Sequence, residues 1–543
     1  MMKLGQLFQT DVIFQFRVLR RRDFCRVVCA VAAVFFVATF QAATSSSATD
    51  DTLLLAIDDH LLPLRHCLCY YISKPEVRTE PVLFPRSDDP QAPDCGGAFF
   101  YGTVLHDAGK FRMWYYAKSA EIKYGNPGYD RQSHVAYAES DDGIHWTRPN
   151  LGQVEFEGSR DNNLIALPGA KQYGACVIKE DDDPDPQRRY KMVFNSRYTG
   201  ERAAQMDVDK LTKRELSAAG GRRFRTATSP DGIHWTASPV PPVGYFIEIG
   251  SFFKHDGLYI VHAHGVAAGA GEGGSPVGRQ GFAWVSPDFD NWVEGYAEAF
   301  MLPEPRDPAK RGGQNQYDQV HIGVGGASLG NVAVGLLGLW HERGWGTGGT
   351  DCDFGLLVSN DGIHFREPVK GHVLLRSEES PVTPVEGKDY PTILCQYNGI
   401  LNVGDETRIY HGRWRNDERL YGEVALATLP RDRWGALGLY PDEPEGWVWS
   451  APFLLPEGGC RLSLNADEPQ LMRVELSDER FRLLPQFSGE DSGVAQASEG
   501  LEAAVRWPRE NLGDLGGTRV RFRIHLKRQV DREPRFYGAY LKH

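Results

Sequence analysis

One heptapeptide occurs several times in this sequence, and its spacing limits the fold more than any other feature. It reads SDDGIHW from Ser140, SPDGIHW from Ser229 and SNDGIHF from Ser359. Looser copies begin at Ser286 (SPDFDNW) and Thr428 (TLPRDRW). The five copies lie 57 to 89 residues apart, which is too long and irregular for a solenoid repeat but fits a four-stranded unit with variable loops.

The heptapeptide has the chemistry of a turn that leads into a strand. Asp-Gly favours a tight turn, because glycine tolerates positive φ and the Ser and Asp side chains can bond the amides of the turn. After the turn, Ile144 and Trp146 alternate with His145, so the apolar pair faces a core and the histidine faces solvent. The repeated histidine is therefore predicted to be a surface residue rather than a catalytic one.

Strand-forming runs precede every copy of the heptapeptide. KFRMWYYA and SHVAYAES lead to the first copy, GTVLHD contributes a strand to the same unit, and comparable runs precede the other copies. With the segment that carries the aromatic residue, each unit has about four strands. The sequence thus predicts an all-β protein with a five-bladed β-propeller over residues 44–448. In this arrangement TLLLAID at 52–58 is expected to join the last blade and close the ring.

The residue pattern of the sequence changes near residue 449, where the heptapeptide units end. TRVRFRIHLK alternates strictly, so that apolar residues face one way and basic residues the other. The basic residues are Arg519, Arg521, Arg523, His525 and Lys527. Other short strand-like runs surround this one, and residues 449–543 are predicted to form a small β-sandwich with one solvated face. The basic row either binds a ligand or is simply solvated, and the solvated face is the usual explanation.

The N-terminal residues have the order of an export signal. A basic cluster at 17–26 is followed by the uncharged apolar run at 27–40, and then by small and polar residues. This order is typical of a secretory signal peptide, so residues 1–43 are assigned to it, with cleavage near 42–47. The alternative is an uncleaved anchor. Either way, the protein is expected to be secreted or periplasmic.

Charge and cysteine usage exclude several classes of function. The formal net charge of −12 argues against a nucleic-acid partner, because phosphates would be repelled. The seven cysteines after residue 43 are scattered and odd in number, so we expect buried free thiols rather than a zinc motif or a disulfide scaffold. The acid-rich run at 180–189 either holds calcium or forms a solvated turn, and the turn is favoured. We expect no metal and no cofactor.

Several stretches resemble the five-bladed propeller glycoside hydrolases of families 32, 43, 68 and 130. They are YGTVLHDAGKFRMWYYA, YAESDDGIHWTRPNLG, GSRDNNLI, DPDPQRRYKMVF, TSPDGIHWT and GGCRLSLNADEPQLMRVELSD. Together they resemble secreted bacterial proteins with a family 32-type N-terminal domain. The resemblance covers the chain from about residue 52 onwards. It implies the fold, a carbohydrate substrate and a site where the inner strands of the blades converge.

The resemblance is less specific for activity than for fold. The family 32 signature Trp-Met-Asn-Asp-Pro-Asn-Gly is absent, although an Arg-Asp-Pro triplet occurs at 306–308, matching in letters a motif whose Asp stabilises the transition state in that family. A sialidase is disfavoured, because the sialidase repeat places its aromatic residue seven positions after Ser, whereas it comes after six here. A non-catalytic propeller that binds glycan or protein therefore stays open beside a hydrolase.

Hydrolysis of a glycosidic bond requires a pair of carboxyl groups. In the resembling families, blades one to three each supply one carboxylate ahead of the first strand, whereas the candidates here fall on blades one, three and four. Three acids stand at such places, namely Asp94, Glu248 and Asp318. We expect Asp94 to act as base or nucleophile, Glu248 as general acid with a raised pKa, and Asp318 as an orienting group. For each of them the alternative is an ordinary surface or turn carboxylate.

Sugar binding also requires aromatic surfaces and hydrogen-bonding groups near the inner strands. The candidates are Tyr101, Tyr317, His321, Trp340, His341, Gln396 and Arg413. For Trp340 the competing interpretation is packing between blades.

Overall fold

The computed structural model describes residues 51–119, 133–197, 222–243, 247–265, 280–302, 319–341, 350–388, 390–416, 420–496 and 499–542. Residues 50–543 form one compact unit. In the described part of the chain the regular structure is β-strand, apart from short 3₁₀ turns at Pro186–Arg188, Ser377–Glu379, Pro469–Leu471, Pro485–Phe487, Gly489–Asp491 and Leu512–Leu515. No helix in that part is long and apolar enough to cross a bilayer.

The first strands of the chain are β1 (Thr52–Leu55), β2 (Leu64–His66), β3 (Leu68–Ile72) and β4 (Glu76–Val77). The first blade contains β5 (Gly97–Asp107), β6 (Lys110–Lys118) and β7 (Ser133–Ser140). The second contains β8 (Ala170–Lys179), β9 (Tyr190–Arg197), β10 (Arg222–Ser229) and β11 (Thr236–Ala237). The third contains β12 (Ile247–His255), β13 (Leu258–Gly265), β14 (Gly281–Ser286) and β15 (Ala297–Phe300).

The fourth blade contains β16 (Gln319–Ser328), β17 (Ala333–His341), β18 (Asp351–Ser359) and β19 (Val373–Leu375). The fifth contains β20 (Ile393–Cys395), β21 (Ile400–Val403), β22 (Glu406–Asn416) and β23 (Leu420–Pro430), with β4 as its outer strand. Strands within the first four blades pair antiparallel in chain order, whereas in the fifth blade β20 and β21 both pair with β22. The fourth strand of a blade follows the aromatic residue of the turn and is short, whereas the sequence had suggested that it carries this residue.

Five blades surround one axis, as the sequence predicts. The innermost strands β5, β8, β12, β16 and β21 contact each other in succession, and β21 contacts β5. The C-terminal ends of these five strands line a single cavity of about 600 Å³. A closed ring of antiparallel sheets around a shared centre is the architecture of a β-propeller.

The prediction that residues 52–58 close the ring was wrong. The closing strand is β4, which pairs with β23, and Leu83 adds a bridge to Val424. Strand β1 pairs instead with the C-terminal strand of the chain over its full length. Its apolar side chains are buried on both faces of the strand. Leu53 and Leu55 pack against propeller residues, and Leu54 packs into the apolar core of the C-terminal sheet.

The remaining strands are β24 (Gly435–Leu439), β25 (Glu445–Trp449), β26 (Phe453–Leu454), β27 (Arg461–Asp467), β28 (Met472–Ser477), β29 (Gly493–Ala495), β30 (Glu499–Arg506), β31 (Arg519–Lys527) and β32 (Arg535–Lys542). One sheet has the order β2-β25-β31-β28-β29 and continues through β30-β27-β32-β24-β3, with β1 on β32 and β26 on β31. It folds over a shared apolar core. The pairing therefore brings residues 52–72 and 435–449 together with the region assigned to the sandwich.

The repeated heptapeptide forms the same turn in four of its copies. In the first, Ser140 Oγ accepts from Gly143 N at 2.9 Å, and Asp142 Oδ1 accepts from His145 N at 2.8 Å. Trp146 Nε1 donates to Gly143 O at 3.1 Å. The His145 side chain is 83% exposed and bonds Asp142, in agreement with its predicted place at the surface. Equivalent bonds recur at 229–235, 359–364 and 286–292.

These turns also join neighbouring blades. The carbonyl of the turn glycine accepts a hydrogen bond from the second strand of the preceding blade in three cases. The donors are Tyr410 to Gly143 at 2.8 Å, Trp114 to Gly232 at 2.9 Å and His262 to Gly362 at 2.8 Å. Because burial lowers the pKa of His262 to about 4, this imidazole is neutral and donates through one nitrogen. The repeated turn thus makes the same kind of connection at three of the junctions between blades.

Candidate functional site

Four inner strands carry a glycine near their middle, and in the fifth blade a glycine directly precedes β21. These glycines are Gly102, Gly174, Gly250, Gly323 and Gly399. A Cβ atom on Gly102 would lie 1.8 Å from the Trp114 carbonyl oxygen, and one on Gly399 would lie 1.9 Å from that of Tyr410. At Gly102, Gly250 and Gly399 the neighbouring backbone approaches so closely that a side chain has no room. This close approach sets the position of the residues that precede each glycine.

The inner strands are irregular at this same level. The pairing register shifts between Phe99 and Thr103, between Tyr173 and Cys176, between Ile249 and Ser251, and between His321 and Val324. In the fifth blade, the break between β20 and β21 falls at the same level. Bulges redirect side chains and are common next to functional sites. Here they precede the segments in which the five strands approach the axis.

Aromatic side chains from different blades meet at this level. Tyr101 stacks on Tyr397 with a centroid distance of 4.9 Å and lies 5.9 Å from Tyr116. His321 and Trp340 lie 4.7 Å apart, and both lie within 6.4 Å of Trp414. Tyr101 and Trp414 connect the two groups at 6.5 Å. We call these six side chains, together with Glu248 and His264, the axial cluster.

Glu248 is the carboxylate of the axial cluster. It opposes His264 in the β12–β13 register, and its Oε2 lies 3.2 Å from His264 Nε2. Its side chain is 21% exposed and that of the histidine 7%. The negative charge of Glu248 also raises the pKa of the Tyr397 hydroxyl, beyond the larger effect of burial. The cluster thus pairs a carboxylate with an imidazole across two neighbouring strands of the third blade.

Two donors of the axial cluster have no hydrogen-bond partner among the described residues. They are the Tyr397 hydroxyl and Trp414 Nε1, on side chains that are 1% and 6% exposed. Because burial holds the pKa of Tyr397 well above its ordinary value, the hydroxyl keeps its proton. A buried donor without an acceptor costs free energy, and a hydroxylated ligand in the cluster would supply acceptors for both.

Asp94 lies in a different environment from the one expected. It is fully buried, and its two oxygens accept from Arg86 Nε at 2.7 Å, Arg148 Nε at 2.8 Å and the Tyr115 hydroxyl at 2.7 Å. Arg148 also donates to the Phe84 carbonyl at 2.6 Å. The carboxylate thus ties the segment before β5 to the first blade. Its oxygens are already bonded within the protein, and we leave it out of the proposed site.

Gln396 and Arg413 are likewise engaged within the protein. Gln396 is fully buried and donates to the carbonyls of His321 and Gly323, the latter at 2.7 Å. Arg413 is 1% exposed and donates to Ser380 Oγ at 2.7 Å and to the carbonyls at 78 and 79. These contacts hold the fourth and fifth blades together and fix the segment before β5.

The other sequence-based candidates are distributed as follows. Tyr101, His321 and Trp340 belong to the axial cluster, and His341 is partly buried at the end of β17. Tyr317, Asp318 and the triplet at 306–308 lie outside the described residues. The structure thus brings Glu248 together with three of the predicted binding residues, and it bonds Asp94 to two arginines and Tyr115.

Two further expectations can be compared with the structure. The described cysteines are all unpaired thiols, four of them buried, as the sequence predicts. In the acid-rich run at 180–189, Glu180 binds Lys191 at 2.6 Å and Lys254 at 2.5 Å. Within the described residues no group of His, Cys, Asp or Glu has the arrangement of a metal site.

Tyr397, Trp414 and His264 were not identified from the sequence. A signal was present, since a glycine opens the strand runs GTVLHD, GACVIKE, GSFFKHD and NGILNVGD. The residue two places before this glycine is Glu248 in the third blade, His321 in the fourth and Tyr397 in the fifth. Aligning the units on the glycine rather than on the heptapeptide would have added Tyr397 to the two residues already predicted, whereas Trp414 and His264 lie on second strands and carry no such signal.

Comparisons with known proteins find distant similarity. No protein-family model matches the sequence. An uncharacterised protein of Mycobacterium tuberculosis (MT1551, strain CDC 1551) is 28% identical over 138 residues, which is 25% of this chain and 32% of that protein. A second, Rv1502 of strain H37Rv, is 36% identical over 69 residues, 12% of this chain and 21% of that protein. The chain thus matches a third or less of these curated relatives.

Among solved structures, a GH130 glycoside hydrolase that targets β-1,2 mannosidic linkages in Candida mannan is 16% identical, with TM-score 0.40, over 66% of this chain and 95% of that one. The β-1,2-mannobiose phosphorylase of Listeria innocua is 14% identical, with TM-score 0.40, over 66% and 97%. A GH43 enzyme of Xanthomonas citri is 10% identical, with TM-score 0.38, over 65% and 91%.

Proposed function

We propose that the axial cluster binds a sugar and that the protein hydrolyses a glycosidic bond there. The observation that carries this proposal is the combination of one partly exposed carboxylate, Glu248, with two buried unpartnered donors, Tyr397 and Trp414. Pockets for small ligands combine aromatic walls with a few convergent polar groups. The hydroxyls of a sugar would accept from both donors, and its apolar face would contact the aromatic rings.

In this proposal Glu248 acts as the general acid, the role expected from the sequence, and His264, 3.2 Å away, positions its carboxyl group. Hydrolysis requires a second carboxyl group, for which Asp318 remains the candidate taken from the sequence. Tyr397 and Trp414 orient the sugar through hydrogen bonds. Tyr101, stacked on Tyr397 at 4.9 Å, forms the wall of the subsite.

Turnover of aryl glycosides and polysaccharides, with products identified by mass spectrometry, tests the proposal. Replacing Glu248 with Gln should lower kcat about 10²- to 10⁴-fold, the usual contribution of a general acid or base. The matched control is Glu298→Gln, an exposed carboxylate on the outer strand of the same blade, which should leave kcat unchanged. Full turnover by Glu248→Gln would exclude Glu248 from catalysis.

A non-catalytic glycan-binding protein is the second candidate. It is favoured by the engagement of Asp94 with two arginines, which leaves Glu248 as the carboxylate of the axial cluster. In that case no glycoside is cleaved, yet an oligosaccharide binds, and Tyr397→Phe or Trp414→Phe weakens this binding. If an oligosaccharide bound without turnover and Glu248→Gln left the affinity unchanged, this second function would be supported.

We also propose the domain organisation and export that the sequence suggests. Residues 1–43 act as a signal peptide and the protein is secreted or periplasmic. The N-terminal residue of the mature protein, read by mass spectrometry after expression in a bacterial host, tests this. Cleavage near 42–47 is the expected result, and an intact N-terminus in the membrane fraction would contradict it.

A further inference from the structure

A groove of about 680 Å³ lies on the sheet formed by β2, β25, β31, β28 and β29, away from the axial cluster. Its size is within the range of ligand pockets. Side chains from all five strands contribute to its lining. The basic row of β31, for which the sequence left a ligand or plain solvation open, forms part of its surface.

One transverse row of side chains crosses the sheet at the groove. In the strand register His66 opposes Trp447, Trp447 opposes His525, His525 opposes Arg473, and Arg473 opposes Val494. All five residues line the groove. Because residues opposite each other in a sheet lie side by side on one face, this surface is built by strands rather than by loops.

The planar groups of the groove are held in place by stacking. The ring centroids of His66 and Trp447 are 5.4 Å apart. The guanidinium of Arg523 lies 4.8 Å from the Trp447 ring centroid and 5.4 Å from that of Trp449. Its Nε is buried and has no hydrogen-bond partner among the described residues. Arg523 is thus a fixed cation rather than a freely moving surface side chain.

Two further cations of the lining, Arg473 and Lys527, are exposed, and within the described residues neither has a carboxylate within 4.0 Å. The acids of the lining, Glu443 and Glu445, lie at one end, where Glu445 opposes Lys527 in the register. The carboxylate of Glu475 bonds His525 at 2.7 Å and also lies 3.6 Å from Arg523 Nη1, so it is engaged on one side of Arg523. The centre of the groove therefore presents Arg473 and Arg523 without a free acid between them.

We infer that this groove binds a uronate-bearing oligosaccharide, with Arg473, Arg523 and Lys527 receiving its carboxylate. Guanidinium groups match a carboxylate geometrically and bind it through charge-assisted hydrogen bonds. The rest of the groove is large enough for neighbouring sugar units, and Trp447 with His66 supplies an aromatic side wall. This site does not depend on the catalysis proposed for the axial cluster.

Isothermal titration of the full chain with trigalacturonate tests the inference. We expect binding that weakens as salt is raised, and at least tenfold weaker binding of the neutral trisaccharide xylotriose. Arg473→Gln and Lys527→Gln should each reduce the affinity for trigalacturonate about tenfold. Arg519→Gln is the matched control, because Arg519 lies on the same face of β31, exposed and outside the groove, and it should bind like the unmodified protein.

The same titration in Glu248→Gln and Trp414→Phe separates this site from the axial cluster, since binding to the groove should persist in both. Equal affinity for xylotriose, no heat at millimolar trigalacturonate, or unchanged affinity in Arg473→Gln would each overturn the inference. Binding of citrate as tight as that of trigalacturonate would also overturn it, because it would show a carboxylate site without saccharide recognition.

Discussion

Replacing Asp94 with Asn distinguishes a structural anchor from a catalytic carboxylate. The substitution keeps the size of the side chain and removes its charge. Asp94 is fully buried, and it accepts from two arginines at 2.7 and 2.8 Å and from Tyr115 at 2.7 Å. The amide group can accept through one oxygen only, so one arginine and the tyrosine would face a donor instead of an acceptor.

The expected loss in the free energy of unfolding is about 3 kcal/mol. Breaking a buried ion pair typically costs 3–5 kcal/mol, and the lower end applies because the side chains of Arg86 and Arg148 keep 31% and 15% of their exposure and regain some water. Urea denaturation followed by tryptophan fluorescence measures this loss. Asp88→Asn, an exposed residue on the same segment, is the control and should change stability little.

A variant Asp94→Asn with unchanged stability and abolished turnover would refute this reasoning and restore Asp94 as base or nucleophile. Reduced stability with turnover preserved at a temperature well below unfolding would support the anchor. Measuring both properties on one preparation keeps a folding defect from being mistaken for a catalytic one.

Three other outcomes are expected. Gly102→Ala should lower the free energy of unfolding by about 1–3 kcal/mol or more, the usual cost of overpacking. The control Gly458→Ala, where a Cβ meets nothing within 4 Å, should leave this free energy unchanged. Equal urea midpoints for the two variants would contradict the close approach of the inner strands. Trp114→Phe, which removes the bond to Gly232, should destabilise the junction of the first two blades, detected as faster hydrogen exchange there. Hydrogen bonds from the turn hold the pKa of Asp231 and of Asp361 at about 2, below the value in the unfolded chain. The stabilisation from these two carboxylates is therefore present above pH 4 and is lost as the pH falls towards 2. A melting temperature that stays constant over this pH range would contradict the prediction.

The architecture was predictable because one physical requirement is repeated along the chain. The turn bonds of Ser140, Asp142 and Trp146 are local, so the heptapeptide shows them directly, and five copies indicate five blades. The closing strand was not predictable in the same way. Strand β1 is a strong apolar run, whereas β4 is two residues long, and only the tertiary arrangement decides which of them completes the fifth blade.

The candidate site was predictable in part, for a related reason. Glu248, Tyr101 and His321 lie on inner strands and Trp340 on a second strand, positions that can be located by counting along the sequence. Asp94 occupies a comparable position along the chain, but its environment depends on Arg86 and Arg148, which reach it from loops. Tyr397 and Trp414 were missed because they are notable only for having a buried donor without a hydrogen-bond partner. That property depends on tertiary packing and is not visible in the sequence.

The most direct test of the central claim is a crystal structure of Glu248→Gln soaked with an oligosaccharide that the protein binds or cleaves. The proposed function predicts a sugar ring in the axial cluster, with its hydroxyls within hydrogen-bond distance of Tyr397 Oη and Trp414 Nε1. A sugar bound elsewhere on the propeller, with both of these donors still without an acceptor, would contradict it.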